Sequence, residues 1–239
     1  MKSTSSQMLN LILIALVFSL ASCSLIREDV GPYQSGTQIY AFSGFDRVDM
    51  GSAFNITVQQ GNAFAVMVEG DRRNLNDLDV YTRNGTLYAR YRTSRRREYQ
   101  NAFTITMPTL RGVDFSGASR STVSGFSNLE NLDVSLSGAS ESQVSVPASR
   151  LSLVLSGASV LHLTGQGTSL TSDLSGASLV QAFGYPVEHA DVEVSGASKA
   201  NISVGTTLVV KASGASTVRY RGSPTVRQQL SGASSVQKE

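Results

Sequence analysis

The sequence predicts an all-β fold, a single-stranded parallel β-helix wound as a solenoid, and three observations predict it. The tetrapeptide Ser-Gly-Ala-Ser recurs seven times, beginning at Ser116, Ser137, Ser156, Ser175, Ser195, Ser213 and Ser231. The intervals are 21, 19, 19, 20, 18 and 18 residues, the near-constant period that stacked repeats produce. Between copies, apolar and polar residues alternate with period two, the pattern of half-buried strands and not of helices.

Aligning the copies on their first serine gives the inward columns. One residue before it stand Phe115, Leu136, Leu155, Leu174, Val194, Ala212 and Leu230, and three before it Val113, Val134, Leu153, Ser172, Val192, Val210 and Gln228. Each unit of about 19 residues is thus a strand, a tight corner at Ser-Gly-Ala-Ser, a second strand and a second corner. Differences in length fall almost wholly in that second corner, which keeps the strands in register from coil to coil. Glycine permits the bend at the first corner, and the flanking serines can bond backbone groups that the turn leaves unpaired.

The chain divides into three parts. Residues 1–22 read as a lipoprotein signal peptide: Lys2 precedes an apolar run from Leu9 to Leu20 that is too short to span a bilayer. That run ends in Leu20-Ala21-Ser22-Cys23, which looks like a bacterial lipobox. The lone cysteine, Cys23, is therefore the expected acylation site, palmitate included, and the anchor to the outer membrane. Residues 23–40 are the lipidated N-terminus and a polar, flexible tether. Residues 41–239 form the β-helix domain, with 41–112 as degenerate coils or a β cap and 113–239 as seven regular coils. Within 41–112, Asn84-Gly85 between two β-rich runs signals a hairpin.

Composition narrows the function. The chain has 239 residues, 41% hydrophobic and 16% charged, with a formal net charge of +2. That is too apolar for a disordered chain and too weakly charged for a dedicated nucleic-acid binder. One cysteine and two histidines leave no disulfide framework and little material for a metal centre, so no cofactor is expected.

Three sets of outward residues carry chemistry. Asp173 and Glu193 are expected on adjacent coils, about 5 Å apart, with Asp191 beside them. That geometry suits a calcium site or the paired carboxylates of a retaining glycosidase. The plain alternative is a solvated ladder in which Glu193 pairs with Lys211. On the other sheet a polar column runs Thr122, Gln143, His162, Gln181, Asn201, Arg219, Gln237, of which Gln143, His162, Gln181, Asn201 and Arg219 form the candidate binding face. Finally, Arg83, Arg90, Arg92, Arg95, Arg96 and Arg97 crowd one loop, with Glu98 the neighbouring acid in sequence. Arg90, Arg92 and Arg95 to Arg97 are the candidate contact for an anionic partner such as lipid headgroups or acidic glycans.

The lipobox, the β-rich start through Val58, the segment Phe103-Thr-Ile-Thr-Met-Pro-Thr-Leu110 and the Gly-Ala-rich coils after it resemble the auto-transporter adhesin head GIN domain family. Its members are mainly secreted or lipid-anchored proteins of Gram-negative bacteria. The similarity runs from about Ala41 to the C-terminus. It implies a right-handed β-helix and an adhesive or structural role, and it carries no catalytic residues. The expectation is a non-enzymatic envelope lipoprotein, periplasmic or surface-facing, that presents its solenoid to a glycan or a surface protein. The alternative is a carbohydrate-active enzyme using Asp173, Asp191 and Glu193.

Overall fold

The computed structural model describes residues 31–239. The expected signal peptide and acylation site, residues 1–22 and Cys23, lie outside the described residues. In chain order the strands are β1 (Ser35–Tyr40), β2 (Arg47–Met50), β3 (Asn55–Gln60), β4 (Ala65–Asp71), β5 (Leu78–Arg83), β6 (Thr86–Tyr91), β7 (Ala102–Met107), β8 (Gly112–Phe115), β9 (Arg120–Ser124), β10 (Leu129–Leu136), β11 (Glu141–Ser145), β12 (Ala148–Leu155), β13 (Val160–Thr164), β14 (Ser169–Leu174), β15 (Leu179–Val194), β16 (Lys199–Ala212), β17 (Thr217–Arg221), β18 (Thr225–Leu230) and β19 (Ser235–Lys238). One short helix, α1 (Arg72–Leu75), follows β4.

Two parallel sheets line the coils. The first stacks β6, β2, β8, β10, β12, β14, the ends of β15 and β16, and β18. The second stacks β7, β3, β9, β11, β13, the starts of β15 and β16, β17 and β19. Their registers join Leu87, Val48, Val113, Val134, Leu153, Ser172, Val192, Val210 and Gln228 into one inward column. The column is buried from Leu87 through Val210 and becomes exposed at Gln228. Like side chains pack above like, so each coil buries its apolar stripe against its neighbours and not against a separate layer.

The corners explain why the tetrapeptide repeats. The glycine of each copy has a φ between 69° and 79°, in the left-handed region. From the second copy on, the alanine N–H donates to the carbonyl of the preceding glycine at 2.7 Å, as Ala158 does to Gly138. A Cβ at Gly176 would lie 2.5 Å from the Gly157 carbonyl oxygen, so backbone angle and stacking each require glycine. The serine that closes the tetrapeptide is buried in the first six copies, and in every copy but that of Ser198 its hydroxyl donates to the carbonyl of the opening serine, as Ser159 does to Ser156 at 2.8 Å.

Residues 41–112 contain two coils and an antiparallel cap. The coil of β2 and β3 does not sit at the end of the stack: β2 lies between β6 and β8, and β3 between β7 and β9. The end coil is therefore β6 and β7. It is covered by β5, which pairs with β6 through Asn84-Gly85, both with positive φ, and by β4, which pairs antiparallel with β7. Phe54 packs against Tyr91 and Phe103, ring centroids 4.9 and 4.8 Å apart, where the regular corners bury a serine.

The expected tether through residue 40 ends earlier. Ser35–Tyr40 form β1, paired antiparallel with β4. This edge strand alternates between exposed and half-buried positions with Ser, Gly, Thr and Gln, so backbone pairing holds it without an apolar pattern.

Candidate functional site

The outer face of the second sheet carries a nine-rung polar column. Register places Thr104, Thr57, Thr122, Gln143, His162, Gln181, Asn201, Arg219 and Gln237 side by side. The five residues proposed from sequence as a binding face, Gln143, His162, Gln181, Asn201 and Arg219, are consecutive rungs. Glu141 in the adjoining column lies 3.7 Å from Arg120 and 3.9 Å from His162. A recess of about 360 Å³ opens where Asn55, Thr57, Arg120, Thr122, Glu141 and Gln143 meet. Thr57 and Thr104 escape sequence reading because their coils carry no tetrapeptide and stack out of chain order.

On the first sheet, Asp173 lies opposite Glu193, and Glu193 opposite Lys211. The Lys211 ammonium is 3.9 Å from the Glu193 carboxylate, both well exposed. Asp191 pairs in register with Thr171 and Val209. Among the described residues no three His, Cys, Asp or Glu side chains group as metal ligands. Farther up the same outward column Asp49 faces Asp114. Burial pushes both carboxyls up, and the charge on Asp114 adds to the effect on Asp49.

The arginine-rich segment is the corner of the end coil, with residues 90–101 standing where 51–54 turn in the next coil. Acids distant in sequence meet it. Arg97 is nearly buried, ion-paired with Asp77, with its guanidinium 3.6 Å from the Tyr91 ring centroid. Burial raises the Tyr91 hydroxyl to about 12. Arg95 donates to the Arg73 carbonyl, Arg92 to that of Asn76, and Arg90 pairs with Asp79 at 3.1 Å. Asp77 and Asp79 come from β5 and the turn before it, so Glu98 is not the acid that balances this loop. Arg96 is exposed and has no ion-pair partner among the described residues. A cavity of about 490 Å³ separates the loop from the corner at Ser52 and Ala53.

The variable second corners border a groove of about 660 Å³ between Pro147, Gln166, Pro186, Glu188 and Arg221. Beneath it Tyr185 is buried, its hydroxyl donating to the Ala148 carbonyl and accepting from the Ala148 N–H. Its ring occupies the space that side chains at Gly165 and Gly167 would fill. Sequence reading did not expect this groove, and the uneven corner lengths, read there only for strand register, are the signal that could have pointed to it.

Fold and faces define a capped β-solenoid whose polar and charged side chains are displayed along its sheets and corners. Residues 44–224 match the family described as "Putative auto-transporter adhesin, head GIN domain", and the chain belongs to that family. Solved structures share the fold. A putative adhesin of Bacteroides fragilis is 22% identical with a TM-score of 0.70, over 86% of this chain and 97% of that one. A putative adhesin of Parabacteroides merdae is 14% identical with a TM-score of 0.69, over 86% and 96%. A putative lipid binding protein of Parabacteroides distasonis is 15% identical with a TM-score of 0.66, over the same shares. Among curated proteins none matches. No helix among the described residues is long and apolar enough to cross a membrane.

Proposed function

We propose that the protein is a lipoprotein of the outer membrane, anchored through Cys23, that acts as a non-enzymatic adhesin or binding module. It presents the outer face of its second sheet to a glycan or a surface protein. The nine-rung column from Thr104 to Gln237 carries this reading. Side chains repeated about every 4.8 Å along a rigid sheet offer donors and acceptors to an extended, repeating ligand without first being ordered. Family membership and the adhesin names of two structural neighbours support the role.

Glycan-array binding of the full chain tests it, compared with Gln143→Ala combined with Gln181→Ala. Both side chains point outward, so the double variant is expected to keep its stability and lose binding. Binding that is unchanged in the variant removes the face from the proposal. Release of reducing ends from bound polysaccharide, abolished by Asp173→Asn with Glu193→Gln, would favour the enzyme reading that the Asp173–Glu193 pairing allows.

A further inference from the structure

We propose that the cavity between the arginine-rich corner and the corner at Ser52 and Ala53 binds a phosphate group, free or as a monoester. The proposal does not rest on the polar column, which lies on another face of the coils.

Charge is the first argument. Arg92, Arg95 and Arg97 line the cavity, and the acid that meets them is Asp77, paired with Arg97 and 4.0 Å from Arg95. Three cations against one anion leave two positive charges, matching a phosphate dianion. Guanidinium forks also fit tetrahedral oxyanions through paired N–H donors.

The second argument is an unmet demand for acceptors. The Arg97 side chain is only 9% exposed, and its Nη2 donates to Asp77 and to the Thr93 carbonyl. Its Nε and Nη1 are buried with no hydrogen-bond partner, the guanidinium lying 3.6 Å from the Tyr91 ring centroid, so a phosphate oxygen reaches them only when the Arg97 side chain shifts toward the cavity. A guanidinium with two unpaired buried nitrogens is costly unless something else supplies acceptors. Arg92 and Arg95 each spend one nitrogen on a backbone carbonyl, at 3.3 and 2.8 Å, and keep other donors of their five available.

The third argument is backbone strain at the opposite wall. Ser52 stands in register where the regular corner has Gly117, yet it adopts φ 65°, and Ala53 follows at 58°. Consecutive left-handed residues other than glycine are uncommon, and such strain concentrates where a site is held ready. It occurs at the tight corner that faces the cavity.

Thermal unfolding and calorimetric titration of the full chain with inorganic phosphate, at constant ionic strength, test the proposal. Phosphate is expected to raise Tm and bind at one site. Arg92→Gln and Arg95→Gln, both partly exposed and able to fold, are each expected to weaken binding about tenfold. Arg96→Gln removes an adjacent charge that does not line the cavity and is expected to leave affinity unchanged. Glucose 1-phosphate binding as phosphate does would identify a sugar-borne ligand. Capture by phosphatidic acid vesicles, lost in the same two variants, would identify a lipid headgroup. No saturable binding of any of the three, or equal weakening in Arg96→Gln, overturns the proposal.

Discussion

Arg47 reaches over Gly112 to bring its guanidinium within 2.5 Å of the Asp133 carboxylate, 86 residues away in the chain. The contact spans two rungs of the first sheet, because β2 stacks on β8 and β8 on β10. Gly112 makes it possible: a Cβ there would lie 2.6 Å from the Arg47 guanidinium.

Gly112→Ala and Asp133→Asn should therefore remove the same interaction. Both partners are about half exposed, so each change is expected to cost less than about 1 kcal/mol. The double variant is expected to cost no more than the larger single change, since the pair can be lost only once. Urea denaturation of the four proteins measures the coupling, and additive losses would show that the ion pair contributes nothing.

Gly176→Val is expected to cost several kcal/mol. The position has φ 76°, and an added Cβ meets the Gly157 carbonyl oxygen at 2.5 Å. Gly232→Val should cost clearly less. Its Cβ would meet Gly214 at 2.8 Å, and its coil has a described neighbour on one side, so it can open locally. Chemical denaturation of both variants checks the order, and equal small losses would mean the corners are not structural.

Asp71 caps α1, and its carboxylate accepts from the Arg73 guanidinium and from the backbone N–H groups of Gln34 and Arg73. The Arg73 hydrogen bonds, foremost, hold the buried carboxyl well below the usual carboxylate range. A lowered folded-state value stabilises above the unfolded value near 3.9 and is lost as pH falls through the folded one. Asp71→Asn is expected to cost about 1–3 kcal/mol at pH 7, with the gap narrowing below about pH 4. Stability curves at several pH values check this, and a gap that widens in acid would reverse the sign.

Cys23→Ala is expected to leave unprocessed precursor or to release the protein from the membrane fraction. Metabolic labelling with palmitate, together with fractionation, checks it. A processed variant that still sediments with membranes would dismiss the lipid anchor.

The regular coils were legible because each inward position is tied to local alternation. Leu136, Leu155 and Leu174 fall on one column whether read from spacing or from register. Even Ser172, buried within an apolar column, keeps its phase. The order of the upstream coils was not legible, because β2 and β3 join their neighbours through backbone pairing and Gly51-Ser52-Ala53 does not match the tetrapeptide. The meeting of Arg97 with Asp77 was hidden for a related reason: a hairpin and a helical turn bring together residues whose charges give no periodic signal. Seven of the nine rungs of the polar column were read from the repeat, and Thr57 and Thr104 were supplied by the stack.

The placement of β2 and β3 between later strands bears on how the fold is reached. A chain emerging N-terminus first presents these two strands before either of their neighbours has been made. They must wait, with both edges unpaired, until β6 to β9 arrive and close on them from two sides. Winding therefore cannot proceed one turn at a time from the first residue. It starts from a clasp that needs roughly the first half of the chain, after which each later coil adds onto a finished edge. That clasp is the step with the largest loop to close, so it should set the pace of folding, while the regular coils follow quickly.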